Sequence, residues 1–586
     1  MKTILNKLFL AAVSFALMGC FAKAQAHPEF GTTVDFLDYV FYDHEGPKDV
    51  YPVEVYERRL KEMADAGFKR IYLRVNCLGL TLYPTKVARL YGEGFAWHWD
   101  NPEESKRLTN TVRAYDVCKE TIRICHKYGM EAWAWESLAD GGDVSRAVDV
   151  KKYGAKALES QGAPMTDPFY FDKHLECYSM RNPRLVPDMK AAAALTAAAR
   201  KFPIVKVVFT ETEKRPPLRI TADTVVIYTS DDNRTYRRYD RPFRFEGGVN
   251  AKGLNTFTIS GLDIKANYVK FGHRVPFTKA HNTYTFAMRG VPDQMQVYNS
   301  QGQKIAVSWH ANIGGIVGEE GSLDLVHCES TGWDYDSREI GFEVGISVTP
   351  SQAYHLGVPE FNVPLAMEHQ LARFAELAAY DFDGFMMNLR SHSWVSKPEE
   401  FGFNPEIREI YRRRYGTDIW TQPYDIGKIM QIRGEGVARF YKGCKELCGN
   451  RPFWVSGLPP APFGKPSEEK VFRGMGTRNL AWIPSLYRTF IQDGSVDGIM
   501  MIGGDFSGYF TPEVTGGRPV QLGIFRECGG HLAKNRYYYP EGYDFEADMR
   551  ALYNHPRLSC VELYETLNFT FNQKARQTVS DILHGK

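Results

Sequence analysis

The sequence predicts an α/β fold: a TIM-type (β/α)8 barrel that carries an inserted β-sandwich. Short apolar strands alternate with amphipathic helices near both ends of the chain, and closely spaced β-type segments fill the stretch between them. Because parallel strands need crossover helices, eight strand–helix units are most simply explained by a closed barrel. We expect the barrel in residues 27–200 and 349–586, and the sandwich in residues 201–348.

The eight barrel strands are predicted from apolar runs that end at turn or polar residues. They are expected at residues 38–41, 70–75, 131–135, 385–387, 452–456, 496–502, 520–525 and 559–563. The helices between them carry apolar residues at helical spacing, and some are followed by a glycine that ends the helix. They are expected at residues 53–66, 108–128, 366–380, 405–415, 426–447, 480–492, 545–553 and 573–583.

The middle of the chain predicts a second domain. Its β-type segments are separated by turn residues at short intervals, which favours a sandwich, and they lie at residues 204–209, 225–229, 255–259, 268–271, 283–288 and 305–309. Two motifs, Tyr228-Thr-Ser-Asp-Asp232 and Ala266-Asn-Tyr-Val269, resemble the discoidin-like galactose-binding sandwich. That resemblance implies carbohydrate binding by the insert as a hypothesis.

The first 26 residues are typical of an export signal. Lysines precede an apolar run at residues 8–18, and small residues follow it up to Ala26. Leu17-Met-Gly-Cys20 resembles a bacterial lipobox, which would place a membrane-attaching lipid on Cys20; cleavage after Ala26 is the alternative. We therefore expect an exported protein, in the periplasm or at the cell surface.

Composition excludes some functions. The net charge is +2 and no basic tract is present, which argues against a nucleic-acid partner. The 33 Tyr, 36 Phe and 10 Trp slightly favour a carbohydrate-facing protein, although most of them are expected in the core. The cysteines lack the spacing of a zinc site, so we expect mostly free buried thiols, no metal and no cofactor.

Four segments resemble the bacterial glycoside-hydrolase-like barrels. They are Val40-Phe-Tyr-Asp43, Asp383-Gly-Phe-Met-Met-Asn388-Leu-Arg390, Arg433-Gly-Glu-Gly-Val-Ala-Arg-Phe440 and Val561-Glu-Leu-Tyr-Glu565. The resemblance covers most of residues 33–180 and 355–586. It implies an exported glycoside hydrolase that acts on a glycan with two carboxyl groups at the carboxyl ends of its strands. The predicted strand ends offer five acids: Asp43, Glu136, Asp505, Glu527 and Glu565.

The end of the fourth predicted strand departs from that pattern, because Asn388 stands where such barrels often have an acid. Arg390 and His392 follow at alternate positions, so they face the same side if the extended geometry continues. Arginine suits bidentate recognition of a carboxylate, and Arg74 could be a second cation. Two guanidinium groups favour an acidic sugar, with His392 as a general acid or base.

This arrangement resembles the barrel-type exo-sialidases, which makes a terminal sialic acid the favoured substrate. The resemblance implies that Asp43 and His392 transfer protons, that Arg390 binds the substrate carboxylate and that Asn388 orients the substrate. Glu136 and Glu565 are further catalytic candidates. The other substrate-binding candidates are Arg74, Asn76, Trp394, Glu527 and Asp505.

Two other functions remain open. The chain could hydrolyse neutral glycans with two of Glu136, Glu527 and Glu565, or it could be a glycan-binding lipoprotein without catalysis. Asn388 favours the second of these, because it replaces an acid at the fourth strand. Arg390 could also form an ion pair with a neighbouring acid such as Glu136 and contact no substrate.

Overall fold

The computed structural model describes the barrel and many strands of the insert. The described residues are 27–77, 79–91, 102–139, 142–143, 147–148, 165–166, 169–184, 201–210, 222–223, 225–231, 236–266, 268–273, 275–276, 294–305, 308–312, 339–340, 343–347, 354–389, 401–458, 486–502, 504–527 and 544–586. The predicted export signal with Cys20 lies outside them. So do Arg390, His392 and Trp394.

Eight parallel strands close into a barrel in chain order. They are β1 (Glu29–Val34), β2 (Arg70–Arg74), β3 (Glu131–Ser137), β4 (Gly384–Asn388), β5 (Phe453–Gly457), β6 (Gly498–Met501), β7 (Gln521–Glu527) and β8 (Cys560–Tyr564). The first strand pairs with both β2 and β8, which completes the closure. Most strand residues are buried, as expected for a parallel sheet covered by helices. The predicted (β/α)8 barrel is therefore confirmed.

Helices follow or flank the barrel strands, mostly close to the predicted positions. They are α1 (Phe36–Tyr42), α2 (Val53–Asp65), α3 (Pro102–Ala114), α4 (Val117–Lys127), α5 (Pro364–Ala378), α6 (Pro405–Tyr415), α7 (Ile426–Cys448), α8 (Tyr487–Gln492), α9 (Pro512–Thr515), α10 (Phe545–Tyr553), α11 (Thr566–Phe571) and α12 (Gln573–Leu583). One buried cluster of apolar side chains joins the outer face of the barrel to these helices.

The first barrel strand lies earlier in the chain than predicted. Residues 38–41 belong to α1, and the strand is Glu29–Val34, whose threonines and valine suit a buried strand. The prediction was wrong because α1 is apolar on its packed face. Phe36 and Tyr39 contact Tyr56 of α2 edge-on, with ring centroids 5.1 and 5.7 Å apart. An apolar run this short fits a strand or a helix equally well.

The long helix predicted at residues 108–128 is divided into α3 and α4. The break lies at Asp116, whose side chain accepts hydrogen bonds from the backbone N–H groups of Cys118 and Lys119 at 3.0 and 3.2 Å. This is an N-cap, and it starts a new helix because the carboxylate satisfies N–H groups that have no partner inside the helix.

Within the described residues, the insert contains two larger, mainly antiparallel sheets and a short one in which Val275–Pro276 pairs with Glu339–Ile340. One has the strand order Arg244–Val249, Asn255–Ile264, Ile204–Thr210, Gln294–Asn299 and Lys304–Ile305. The other has the order Ser308–Asn312, Glu343–Ser347, Tyr268–His273, Val225–Ser230 and Tyr236–Arg238, with Ala147–Val148 at its edge. The strand predicted at residues 283–288 lies outside the described residues. Packing of the two sheets into a sandwich stays a prediction.

Six cysteines within the described ranges are buried and unbonded, namely Cys118, Cys125, Cys177, Cys444, Cys448 and Cys560. Across the same ranges, no helix combines the length and the apolar character needed to cross a bilayer. Nor do the described His, Cys, Asp and Glu residues form a group of three or more that could hold a metal ion.

Candidate active site

The interior of the barrel is filled by large side chains below its carboxyl end. Tyr72, Trp133, Trp135, Met386, Trp454, Met500 and Cys560 form one buried cluster. Neighbouring strands contribute glycines where these rings lie: a Cβ on Gly384 would lie 2.5 Å from Trp133, and one on Gly498 would lie 2.4 Å from Trp454. The barrel is thus a packed core, and a substrate cannot pass through it.

The amino end of the barrel is closed by Arg70. Its guanidinium lies 4.1 Å from the centroid of the Trp133 ring and forms ion pairs with Glu29 at 3.1 Å and Glu131 at 2.8 Å. These contacts neutralise a buried charge at the end where barrels carry structural residues. A binding site is therefore expected at the opposite end, which we call the mouth.

At the mouth, the ends of β1, β2 and β8 bring three polar side chains together. Arg74 Nη1 donates to Asp35 Oδ2 at 2.6 Å, and both side chains are buried. The hydroxyl of Tyr564 donates to the same oxygen at 3.5 Å. The Arg74 guanidinium also lies 5.6 Å from the centroid of the Trp135 ring. We call Asp35, Arg74 and Tyr564 the mouth cluster.

Neutral polar side chains follow the mouth cluster around the rim, at the ends of β3, β4 and β5. Asn388 Nδ2 donates to Ser456 Oγ at 2.9 Å, and both residues are buried. Ser137 is the Cα partner of Asn388 across β3 and β4, and its hydroxyl has no hydrogen-bond partner among the described residues. These amide and hydroxyl groups can donate to, or accept from, a sugar hydroxyl.

Two glutamates end the last strands. Glu527 is the final residue of β7 and is the Cα partner of Tyr564. Glu565 follows β8 directly, caps α11 and is fully buried. Burial raises the pKa of Tyr39 in α1, and the negative charge of Glu565 adds to that effect. Glu565 therefore lies on the side of β8 that is close to α1.

One layer below the mouth cluster, Glu562 of β8 is fully enclosed in the barrel. Thr33 Oγ1 donates to its Oε1 at 2.6 Å, whereas its Oε2 has no hydrogen-bond partner among the described residues. Burial raises the pKa of Glu562 to about 8, although Thr33, Trp135 and Arg70 act in the opposite direction. The side chain is therefore a neutral carboxylic acid at neutral pH.

Glu136 and Asn76 form a separate group beside the rim. Arg373 of α5 donates to Glu136 Oε1 at 3.2 Å, and Asn76 Nδ2 donates to the same oxygen at 2.9 Å. Asn76 Oδ1 in turn accepts from the backbone N–H of Ser137 at 2.8 Å. Glu136 thus faces the helical layer through Arg373, and Asn76 fixes the backbone at the end of β3.

Asp43 lies at the carboxyl end of α1, not at the end of a strand. Its carboxylate accepts from Arg59 Nε and from the Tyr51 hydroxyl, both at 2.9 Å. Burial would raise the pKa of Asp43, but these hydrogen bonds outweigh it, and the pKa is lowered. The acid that follows β1 is Asp35. The sequence does not indicate Asp35, because the first strand is predicted at residues 38–41.

Asp505 is exposed and pairs with His555 at 3.0 Å. His555 precedes β8 and so lies near the amino end of that strand. The structure therefore places Arg74, Asn388, Glu527 and Glu565 at the carboxyl ends of barrel strands, whereas Asp43 ends α1 and Asp505 is exposed beside His555. The predicted roles of Arg390, His392 and Trp394 concern residues outside the described ranges.

No protein-family model and no curated protein sequence matches this chain. Among solved structures, the chain resembles the β-galactosidase from Bacillus circulans sp. alkalophilus, with a TM-score of 0.26 and 9% sequence identity. The similarity covers 43% of this chain and 42% of the β-galactosidase chain, so less than half of that enzyme is matched. A similarity of this size does not transfer an activity.

Proposed function

We propose that this protein is a glycoside hydrolase whose active site is the barrel mouth. The observation that supports the proposal is the buried ion pair of Asp35 and Arg74 at the ends of β1 and β2. A buried ion pair contributes little net stability, because desolvation of both charges offsets their attraction. Its place at the carboxyl end of a barrel, beside two glutamates at strand ends, favours a catalytic role.

Glycosidic cleavage needs one ionised and one protonated carboxyl group. Asp35 suits the ionised role, since Arg74 and Tyr564 both donate hydrogen bonds to it. Glu527 and Glu565 are the candidates for the protonated role. Glu565 follows β8, which pairs with β1, and Glu527 ends β7, which pairs with β8. Both were candidates from the sequence, whereas Asp35 comes from the structure.

The mouth cluster favours a neutral sugar over an acidic one. The expectation of sialic acid rested on two guanidinium groups, and Arg74 is paired with Asp35 at 2.6 Å. A neutralised arginine gives a substrate carboxylate little additional attraction. Amide and hydroxyl groups at Asn388, Ser456 and Ser137 suit sugar hydroxyls. Sialic acid stays a proposal that depends on Arg390 and His392.

Hydrolysis of a panel of neutral nitrophenyl glycosides and of sialyl-lactose tests the proposal. Asp35→Asn, Glu527→Gln and Glu565→Gln should each be assayed on the substrate that the wild type cleaves. We expect a catalytic carboxyl to lower kcat by roughly 10²–10⁴-fold when it is replaced by its amide. Asp65→Asn and Glu513→Gln make the same exchanges at exposed sites and should leave kcat unchanged.

The outcome also separates the other candidate functions. Release of sialic acid alone, lost in His392→Ala, would favour the exo-sialidase proposal over the neutral-glycan one. If the wild type binds glycans but cleaves none of the substrates, the protein is a glycan-binding protein and the hydrolase proposal fails. Equal activity in all three mouth variants and the wild type would place the catalytic groups elsewhere.

Export and lipid attachment are part of the proposal, and the N-terminal sequence supports them. Metabolic labelling with a fatty-acid analogue in a bacterial host should mark the wild type and not Cys20→Ala. If neither the wild type nor Cys20→Ala is labelled, and N-terminal sequencing finds cleavage after Ala26, the protein is secreted without a lipid. Retention of residues 1–26 in the mature protein would contradict export.

A further inference from the structure

Glu562 is a buried carboxyl group for which the proposed reaction has no direct use. It lies inside the barrel, and the mouth cluster lies between it and any substrate. It therefore cannot donate a proton to a glycosidic oxygen. Among the described residues, Thr33 donates a hydrogen bond to it, and Arg70, the cation that acts on it, forms ion pairs with Glu29 and Glu131 instead.

Three residues around Glu562 relate its position to the mouth cluster. On its own strand, Tyr564 is two residues further on and reaches Asp35. On β1, Thr33 donates to Glu562, and Asp35 is two residues further on. Residues two apart on a strand face the same side, about 7 Å apart along the strand. On β3, Trp135 acts to lower the pKa of Glu562, and its ring lies beside the Arg74 guanidinium.

The charge balance of the mouth depends on the protonation of Glu562. Asp35 and Arg74 carry opposite charges, so a neutral Glu562 leaves the mouth cluster with no net charge. An ionised Glu562 would place a negative charge directly below Asp35, in a dry interior where such a charge is poorly screened. It would attract Arg74 downwards and repel Asp35.

We propose that Glu562 is a positioning residue that stays a neutral acid and so keeps the Asp35–Arg74 pair intact and correctly placed for catalysis. The proposal rests on the proposed glycoside hydrolase function of the same mouth. Loss of the proton from Glu562 disables the mouth, and the enzyme therefore loses activity at alkaline pH while substrate affinity changes less.

Other titratable groups face Glu562 as well. They are Arg70 and Tyr72 on β2, Cys560 and Tyr564 on β8, and the mouth residues Asp35 and Arg74 above. Burial raises the pKa of Tyr72 well above its usual value and that of Cys560 to about 11. Glu562 therefore titrates below both of these groups, and its alkaline limb is distinguished from that of the catalytic acid by the change that Glu562→Gln produces.

The kcat of the full-length protein should be measured from pH 5 to pH 10 on the glycoside that it hydrolyses. We expect the wild-type kcat to fall tenfold per pH unit above about pH 8. In Glu562→Gln, which cannot ionise, the part of the limb that belongs to Glu562 should be lost, so that kcat falls only where the catalytic acid of the mouth loses its proton, with little change in KM. In Thr33→Val the limb should move to higher pH, because the lost hydrogen bond favoured the ionised form. Alkaline limbs that coincide in all three proteins would overturn the proposal.

Infrared difference spectra of wild type against Glu562→Gln test the protonation without any substrate. A protonated-carboxyl band that is present at pH 7 and lost on passing through about pH 8 supports the proposal; absence of the band at pH 7 overturns it. If no glycoside is hydrolysed, the glycoside hydrolase function fails and the catalytic part of the proposal fails with it. The infrared result still decides whether Glu562 is a neutral acid.

Discussion

Arg74 is a buried cation at the end of β2 whose charge is balanced by Asp35. Its position after a strand suggested a free cation for an acidic substrate, but the structure pairs it with Asp35 inside the protein. The sequence could not indicate this partner, because Asp35 and Arg74 are 39 residues apart and meet only when β1 and β2 align.

We predict that Arg74→Met destabilises the protein by about 3–5 kcal/mol, because Asp35 would remain buried without its cation. The double variant Asp35→Asn/Arg74→Met should recover much of that loss. Urea denaturation of the wild type and both variants at pH 7 measures the free energy of unfolding of each protein. A loss below about 1 kcal/mol in Arg74→Met would mean that Asp35 reaches water, in conflict with its burial.

Glu562 also makes stability depend on pH. Its pKa is about 8 in the folded protein, whereas the ordinary pKa of a glutamate, 4.5, applies in the unfolded chain. Below pH 4.5 the group is protonated in both states, and between the two values only the unfolded chain loses the proton. The contribution of Glu562 to the free energy of unfolding therefore falls by about 1.36 kcal/mol per pH unit between these two pKa values. The total loss is roughly 5 kcal/mol.

We predict that Glu562→Gln abolishes this part of the pH dependence. The wild type should lose stability relative to the variant as the pH rises from 5 to 8, and the difference should level off above pH 8. Urea unfolding at several pH values measures the difference. The exposed Glu513→Gln serves as the matched control, and a wild-type curve parallel to that of Glu562→Gln would contradict the prediction.

At the scale of elements, the barrel strands are specified by pairs of large and small residues. Gly384 on β4 lies against the Trp133 ring of β3, and Gly498 on β6 lies against the Trp454 ring of β5. Trp133 and Trp454 then meet edge-on, with centroids 5.5 Å apart. The glycines are thus required by packing against the indoles, although glycine alone weakens a strand.

We predict that Gly384→Ala destabilises the protein by about 1–3 kcal/mol, because the new methyl group would overlap a buried indole that has no room to move. Gly508→Ala is the matched control, since its Cβ would meet no atom within 4 Å. It should change stability by no more than about 0.5 kcal/mol. Thermal unfolding of both variants tests the prediction, and equal midpoints would refute it.

At the scale of the whole molecule, the chain leaves and re-enters the barrel at one place. The strands Tyr178–Met180 and Tyr354–Pro359 pair antiparallel on either side of the insert, with Met180 opposite Tyr354. Adjacent ends allow a second domain to be inserted without disturbing the barrel. This geometry agrees with a separate insert, although packing of its two sheets as a sandwich stays a prediction.

We predict that replacing residues 201–348 by a short Gly-Ser linker leaves a barrel that folds cooperatively. Circular dichroism during thermal unfolding measures this, and the same linker inserted between Ser300 and Gln301 is the control for linker effects. An insoluble or non-cooperative product would show that the barrel needs the insert. Unchanged binding to a glycan array after deletion would contradict the carbohydrate-binding hypothesis for the insert.

Local patterns in the sequence predict the alternation of strands and helices, and hence the barrel, because buried strands and amphipathic helices have different apolar periods. They also locate seven of the eight strands, at positions 70–75 to 559–563, close to where the structure has them. The first strand was misplaced because the apolar run in α1 is too short to distinguish a strand from a helix.

No local pattern indicates which polar residues share a site, because that depends on how the strands close into the barrel. Asp35, Arg74 and Tyr564 come from the beginning and the end of the chain, and they meet because β8 closes on β1. The same closure encloses Glu562 and keeps it neutral, while Glu136 is directed towards Arg373 in the helical layer. Local sequence sets the period of each element, but long-range contacts set the charge and burial of its side chains.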